Sequence, residues 1–302
     1  MKMPLLSKGD SIAIAAPARS ISREQLANAE EYIGRKGYKL YYEKDLFTTE
    51  HQFGGSDVFR ADFFNRLLAE GRHKVIWCAR GGYGSLRMVD GLNTALLKAA
   101  PKWIAGFSDI TILHSHIARH CGIPTLHSTM PVFMNEKTGN EYSDAAAAID
   151  SMLSVLEGTM PVFDLRNNLS INAADFEGKI TGGNLSVLAS IAGSESEFCF
   201  DDQILFIEDL DEYFYHIDRL MLMFKRSGRL SKLKALLVGS FIQMHDHTIP
   251  FGKNVREIIT EHCSNYGYPI IFDVDAGHHL HNMAIPFGIS ASYRGGILTF
   301  AG

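Results

Sequence analysis

Apolar residues fall along this chain in two alternating rhythms, and the alternation predicts the fold before any motif is read. Short continuous apolar runs, of the kind a strand buried on both faces produces, occur at Ser11–Ala16, Tyr38–Tyr42, Lys74–Ala79 and Lys102–Ala105. Between them lie segments with apolar residues three and four apart: Ser22–Lys36 (Leu26, Ala29, Tyr32, Ile33), Ser56–Glu70 and Asp109–His120. Each change of rhythm is punctuated. Pro17 follows the first run, Ser22 with Gln25 offers the first helix a capping box, and Gly37 stops it. Gly54-Gly55-Ser56-Asp57 opens the second helix, and Gly81-Gly82-Tyr83-Gly84 breaks the third strand. Strand and helix in turn predict an α/β fold with a parallel sheet and helices on both faces.

The rhythm weakens at 138–172. Thr138-Gly139-Asn140 reads as a loop and Ala145–Leu156 as a helix, and Gly158-Thr159-Met160-Pro161 and Arg166-Asn167-Asn168 break regularity. We therefore expect an N-terminal α/β domain at 1–160, a linker at 161–175 and a smaller mixed α/β domain at 176–302. In the last, Gly178–Asn184 reads as the opening of a helix over Leu185–Ala192. Strands follow at Gln203–Ile207, Ala235–Phe241, Ile270–Val274 and Ile297–Phe300, with helices at Tyr213–Arg226 and Val255–Cys263.

Composition narrows the function classes. The 302 residues exceed the roughly 100–200 of one ordinary domain, which favours two. With 46% hydrophobic and 21% charged residues the chain has material for a core, which excludes a disordered protein. A formal net charge of −5 argues against a nucleic-acid partner, and the pairs at Lys225–Arg226 and Lys232–Lys234 read as solvated helix ends. No apolar run reaches the ~18 residues of a membrane span, and the first ten residues reach charge too early for a secretory segment. Cys78, Cys121, Cys199 and Cys263 stand far apart with no C-x-x-C pair. Free thiols in a reducing compartment are expected, and hence the cytoplasm.

Four stretches carry candidate chemistry. Gly106-Phe107-Ser108-Asp109 sits between an apolar strand and a helix. A serine there projects its hydroxyl above the sheet edge, with free helix N–H groups behind it for a developing oxyanion. The same residues also read as a plain N-cap. Arg80-Gly81-Gly82-Tyr83-Gly84-Ser85 can bring backbone amides close to a ligand, but it lacks the ending of a phosphate-binding loop and also reads as a tight turn. Glu208-Asp209-Leu210-Asp211-Glu212 places carboxylates at a strand end, and reads equally as an acidic cap. Gly277-His278-His279-Leu280-His281 supplies histidine, the usual proton carrier near neutral pH. Together with His245 and His247 these histidines also suggest a metal hydrolase, although no H-E-x-x-H helix accompanies them. Serine, carboxylate and histidine each just past a strand make a set whose chain order is free.

In order along the chain, these stretches resemble the LD-carboxypeptidases, a serine peptidase family that also includes microcin-immunity proteins. The matching residues are Gly9–Pro17, Ala79–Gly84, Gly106–Thr111, Gly182-Gly183-Asn184-Leu185, Glu208-Asp209 with Asp218-Arg219, and Gly277-His278. The resemblance implies a flavodoxin-like N-terminal domain, a mixed C-terminal domain, a homodimer, and no metal or cofactor. It implies a triad of Ser108 as nucleophile, His278 as base and Glu208 as orienting carboxylate, with Glu212 a rival for the last role. The oxyanion would be held by the backbone amides of Gly82 and Asp109. Arg80 and Tyr83 are candidates for binding the substrate, Arg80 by pairing its terminal carboxylate, and Arg80 reads equally as an ion-pair partner of its own turn. The substrate implied is a muropeptide cut between a diamino acid and its terminal D-alanine during cell-wall recycling. Where relatives often read Gly-Pro-Met, this chain has His127-Ser128-Thr129-Met130-Pro131, and His278 is followed by a second histidine, which leaves substrate preference open. Two other readings remain. One is a microcin-immunity-type hydrolase of a peptidyl-nucleotide amide, with Phe251, Tyr266 or Tyr268 under the base. The other is a binding protein of the same fold without catalysis.

Overall fold

Five parallel strands organise the first half of the chain in the computed structural model, which describes residues 3–135 and 143–302. They are β1 (Ser11–Ala15), β2 (Lys39–Tyr41), β3 (Val75–Cys78), β4 (Trp103–Gly106) and β5 (Thr125–His127). Between and after them run α1 (Arg23–Arg35), α2 (Asp57–Ala69), the short α3 (Ser85–Met88) and α4 (Thr94–Ala99), then α5 (Thr111–Cys121) and α6 (Ser143–Leu156). The sequence dictates much of this locally. Ser22 and Gln25 do form the capping box of α1. β1, β3 and β4 are buried along nearly their whole length because every residue in them is small or apolar. The spatial order β5-β4-β3-β1-β2 is the flavodoxin order that the resemblance implied, with its switch point between β1 and β3. The loop read at Thr138-Gly139-Asn140 lies outside the described residues.

The second sheet has eight strands, in the order β6-β14-β13-β8-β9-β10-β11-β7. Its members are β6 (Val162–Asp164), β7 (Ser170–Ile171), β8 (Phe176–Asn184), β9 (Ile204–Leu210), β10 (Ala235–Ile242), β11 (Ile270–Ile271), β13 (Ser290–Arg294) and β14 (Ile297–Phe300). The middle four, β8-β9-β10-β11, run parallel. Helices α7 (Leu185–Ser190), α8 (Phe214–Arg226) and α9 (Val255–Cys263) accompany them. The stretch 161–175, expected as linker, carries the two outermost strands of this sheet, β6 and β7. One further strand, β12 (Ile285–Phe287), leaves the second sheet and pairs antiparallel with β5 of the first. The loop between β11 and β12 is thereby tied to both sheets.

One expectation holds only in part. Gly178–Asn184 is strand β8, and only its last residue, Asn184, opens α7, as an N-cap accepting the Val187 N–H. Its glycines serve close approach rather than a turn. A methyl group on Gly182 would lie 1.8 Å from the Phe206 carbonyl oxygen, and one on Gly183 would lie 2.3 Å from Thr111 Oγ1, both at positive φ. Thr111 Oγ1 in turn accepts the Asn184 N–H at 3.0 Å, so the start of α5 is docked directly on β8. Gly182→Ala is therefore expected to cost about 3 kcal/mol, because rigid backbone and not a flexible side chain blocks the methyl. Gly34→Ala, inside α1 with open space around it, should instead gain about 0.5 kcal/mol. Urea midpoints at unchanged slope check both, and a neutral Gly182→Ala refutes the close approach.

Candidate active site

Both parallel sheets end at one place. The residues following the C-terminal ends of β1, β3 and β4 face those following β9, β10 and the short β11 across a cavity of about 560 Å³. Its lining includes Arg19, Arg80, Gly81, Gly82, Ser108 and Met130 from the first half, and Leu210, Asp211, Glu212, Gln243 and His278 from the second. A crevice outside the carboxyl ends of parallel strands, at the switch point, is where open α/β sheets bind ligands.

Ser108 stands at the tip of a sharp turn between β4 and α5. Its φ of +63° lies in the left-handed region, where a serine is strained. The turn is fixed from two sides. The buried Asp109 carboxylate accepts the Ser85 N–H at 2.7 Å, which ties the turn to the segment after the glycine-rich loop. Burial pushes the Asp109 carboxyl above the usual carboxylate range, partly offset by that hydrogen bond. The buried His114, on α5, hydrogen-bonds the Gly106 carbonyl through Nε2 at 2.9 Å. Burial holds this imidazole down at about 4, so it is neutral. The glycine-rich loop lies against the serine: a methyl on Gly81 would fall 3.0 Å from Ser108 Cβ, 3.2 Å from its Oγ and 3.4 Å from the Asp109 amide nitrogen. The backbone of this loop at Gly81 thus borders the serine hydroxyl and the amide nitrogen of Asp109.

His278 comes from the loop held between β11 and β12. Its Nδ1 lies 2.5 Å from Oε2 of Glu208, whose side chain is fully buried at the end of β9. Its ring lies 4.7 Å from the ring of Phe107, the residue before Ser108. Glu208, the carboxylate the resemblance favours, and its rival Glu212 have different partners. Glu212 bonds His216 Nδ1 at 2.6 Å and Ser186 Oγ at 3.0 Å. The neighbouring Asp209 accepts from Asn184 Nδ2 (2.8 Å) and from Ser186 N and Oγ (2.9 and 2.5 Å). Burial first, and then the Glu208 charge, push Asp209 up to about 6. A continuous path therefore joins the serine turn to the carboxylate: Thr111 at the start of α5, Asn184 at the end of β8, Asp209 and then Glu208.

The remaining sequence candidates divide. Arg80 lines the cavity and donates to the Ser20 carbonyl at 3.3 Å. Tyr83 lies outside the lining: it is 45% exposed, with its ring 6.1 Å from that of Phe53. Of the glycine loop, Gly81 and Gly82 line the cavity and Tyr83 and Gly84 do not. Tyr266 and Tyr268 stack on each other at 5.7 Å against the second hydrophobic core, and Phe251 is exposed. None of the three lines the cavity. His245 pairs with Asp211 at 2.6 Å, His247 stacks on Tyr213 at 4.7 Å, and His278 pairs with Glu208. Among the described residues the one grouping able to hold a metal is Asp218, Glu261 and His262, which contains none of these histidines. Sequence reasoning missed Arg19, gave Asp211 no role beyond its place in the acidic stretch, and missed Gln243. The last two line the cavity with φ of +58° and +53°, a conformation that residue type does not announce.

Chemically, the arrangement offers a hydroxyl on a strained turn, neighbouring amides, and an imidazole backed by a buried carboxylate, which are the parts of acyl transfer. Known proteins resemble the chain over most of its length. Residues 12–128 match the model of the LD-carboxypeptidase N-terminal domain, and residues 177–292 match that of the LD-carboxypeptidase C-terminal domain. A probable murein peptide carboxypeptidase of Bacillus subtilis is 27% identical over 96% of this chain and 91% of its own length. The microcin C7 self-immunity protein MccF of Escherichia coli is 26% identical over 94% of this chain and 90% of its own. The crystal structure of a muramoyltetrapeptide carboxypeptidase from Oxalobacter formigenes shares the fold, with a TM-score of 0.84 at 24% identity over 97% of this chain and 99% of that one.

Proposed function

The chain belongs to the LD-carboxypeptidase family, and from that premise we propose that it is a serine-type muropeptide carboxypeptidase acting through Ser108, His278 and Glu208. The observation that carries the reading is the convergence of the strained Ser108 and the Glu208–His278 pair on one cavity. His278 Nε2 takes the Ser108 proton as Oγ attacks the carbonyl before a terminal D-alanine. Glu208 keeps the other proton on Nδ1 and stabilises the imidazolium that forms. The amides of Gly82 and Asp109 bind the oxyanion, each lowering the barrier by roughly 3 kcal/mol. Collapse of the tetrahedral intermediate breaks the C–N bond, and His278 gives its proton to the departing amine. A water then loses a proton to His278, attacks the acyl-enzyme and returns Ser108 to its hydroxyl form. The proposal includes division of the chain near 161–175, a homodimer, and a cytoplasmic role in cell-wall recycling. No helix among the described residues is long and apolar enough to cross a membrane, which is compatible with that setting.

Mass spectrometry of a murein tetrapeptide incubated with the protein tests the substrate. Release of D-alanine and a tripeptide is the expected result. Cleavage of a peptidyl-nucleotide amide with the tetrapeptide left intact would replace this reading by a microcin-immunity type. Cleavage of neither by folded protein would leave a binding role.

A further inference from the structure

Arg19 is a cation that lines the cavity with no charge partner among the described residues. It follows β1 at the switch point of the first sheet and lines the same cavity as Ser108 and His278. Among the described residues its guanidinium makes no hydrogen bond, ion pair or ring contact. Its backbone is nevertheless well held. It bridges Phe53, while Ser20 N–H donates to the Gln52 carbonyl at 3.0 Å and Gly54 N–H to the Ala18 carbonyl at 3.1 Å. The side chain lies along the glycine-rich loop: a methyl on Gly82 would fall 2.6 Å from Arg19 Cδ and 2.9 Å from its Cγ and Nε.

The acidic groups across the cavity do not account for it. Asp211 is paired with His245 and Glu212 with His216, each at 2.6 Å, and neither approaches Arg19 within ion-pair distance. Arg80, the cation the sequence offered for substrate binding, donates to the backbone carbonyl of Ser20, immediately after Arg19. Its geometry supports the loop that presents Arg19. Holding an exposed, unpaired arginine beside the loop that borders the serine makes physical sense for an anion that arrives with the substrate.

We propose that Arg19 is the specificity-determining residue that reads the terminal carboxylate of the substrate. This rests on the carboxypeptidase reading above. In such a substrate a single carbon joins the carboxylate to the scissile nitrogen. Its reader must therefore stand within one side chain of the loop that borders the scissile carbonyl, and Arg19 packs directly on Gly82 of that loop. A planar guanidinium pairs a carboxylate through two parallel hydrogen bonds, which a neutral carboxamide cannot reproduce. Arg19 thus makes the enzyme a carboxypeptidase rather than a general hydrolase of this amide bond.

The experiment compares a murein tetrapeptide ending in D-alanine with the same peptide ending in D-alaninamide, using the wild-type protein, Arg19→Ala and Arg19→Lys. The wild type should prefer the acid. Arg19→Ala should lose on the order of 10- to 100-fold in kcat/KM on the acid, mainly through KM, so that its preference for acid over amide collapses. Arg19→Lys should recover part of that preference, since a point charge remains without the fork. Because the side chain is exposed, the wild-type KM for the acid should also rise with salt while that of Arg19→Ala should not. An equal loss on both substrates, or no loss on either, overturns the assignment while leaving the carboxypeptidase reading intact. A folded wild type that cleaves neither peptide removes the reaction and the assignment with it.

Discussion

Ser108→Ala is expected to lower D-alanine release by on the order of 10⁵-fold while the protein keeps its fold. The size follows from the division of labour at the site. Without the hydroxyl there is no acyl-enzyme, and His278 has no proton to take. What remains is binding and the oxyanion-binding amides acting on a water, which is worth far less. The fold should survive because the alanine inherits the serine's backbone. The turn is held by Asp109 on Ser85 N–H, by His114 on the Gly106 carbonyl and by Thr111 on Asn184, and none of these uses the Ser108 side chain. Alanine at φ +63° carries the same strain as serine, so the melting temperature should move by no more than a degree or two. Activity against the tetrapeptide and a thermal melt on the same preparation check both halves. A variant that keeps more than about one per cent of activity would place the nucleophile elsewhere, since no positioning role for this hydroxyl explains a loss of the larger size.

Much of this was legible in the sequence, for reasons that particular elements show. β1, β3 and β4 read correctly because a strand covered on both faces must be apolar throughout. The α1 cap read correctly because a capping box is local chemistry. Ser108, Glu208 and His278 stood out because each lies in the last part of a strand or in the loop after one, and the ends of parallel strands are where side chains meet a ligand. The misses have equally physical causes. β8 looked like a helix opening because glycine usually signals a turn, whereas here it admits a neighbouring backbone. β5 and β12 are three residues each, and Pro286 argues against a strand unless it lies on an edge, where β12 does lie. Glu212 remained a rival to Glu208 because a contact from His278 to one of them is set by a loop pinned between two sheets, not by spacing. Arg19 carries no motif at all. Only the packing of β1 beside β3 brings it to the glycine loop.

Glu208→Gln is the second large effect, expected at about 10³- to 10⁴-fold in kcat. The Glu208 side chain is fully buried and its Oε2 lies 2.5 Å from His278 Nδ1, so the pair senses little solvent. A carboxylate can only accept there, which keeps the proton on Nδ1 and leaves Nε2 as the base. A glutamine can also turn its amide and donate to Nδ1, which puts the proton on Nε2 and removes the base. It further takes away the negative charge that balances the imidazolium as Ser108 attacks. Stability should move the other way or not at all, because an amide of the same shape replaces a buried charge whose second oxygen, Oε1, has no hydrogen-bond partner among the described residues. Glu212→Gln supplies the contrast. That residue also lines the cavity, but it bonds His216 and Ser186, so its loss should stay within about tenfold. The pH profile of kcat separates the mechanisms: a lost counter-charge makes the imidazolium easier to deprotonate and shifts the acidic limb towards lower pH, whereas a collapsed pocket lowers the whole curve and the melting temperature together. If Glu212→Gln proved the more damaging of the two, the orienting carboxylate would be the wrong one, and His278 would have to change partner when substrate binds.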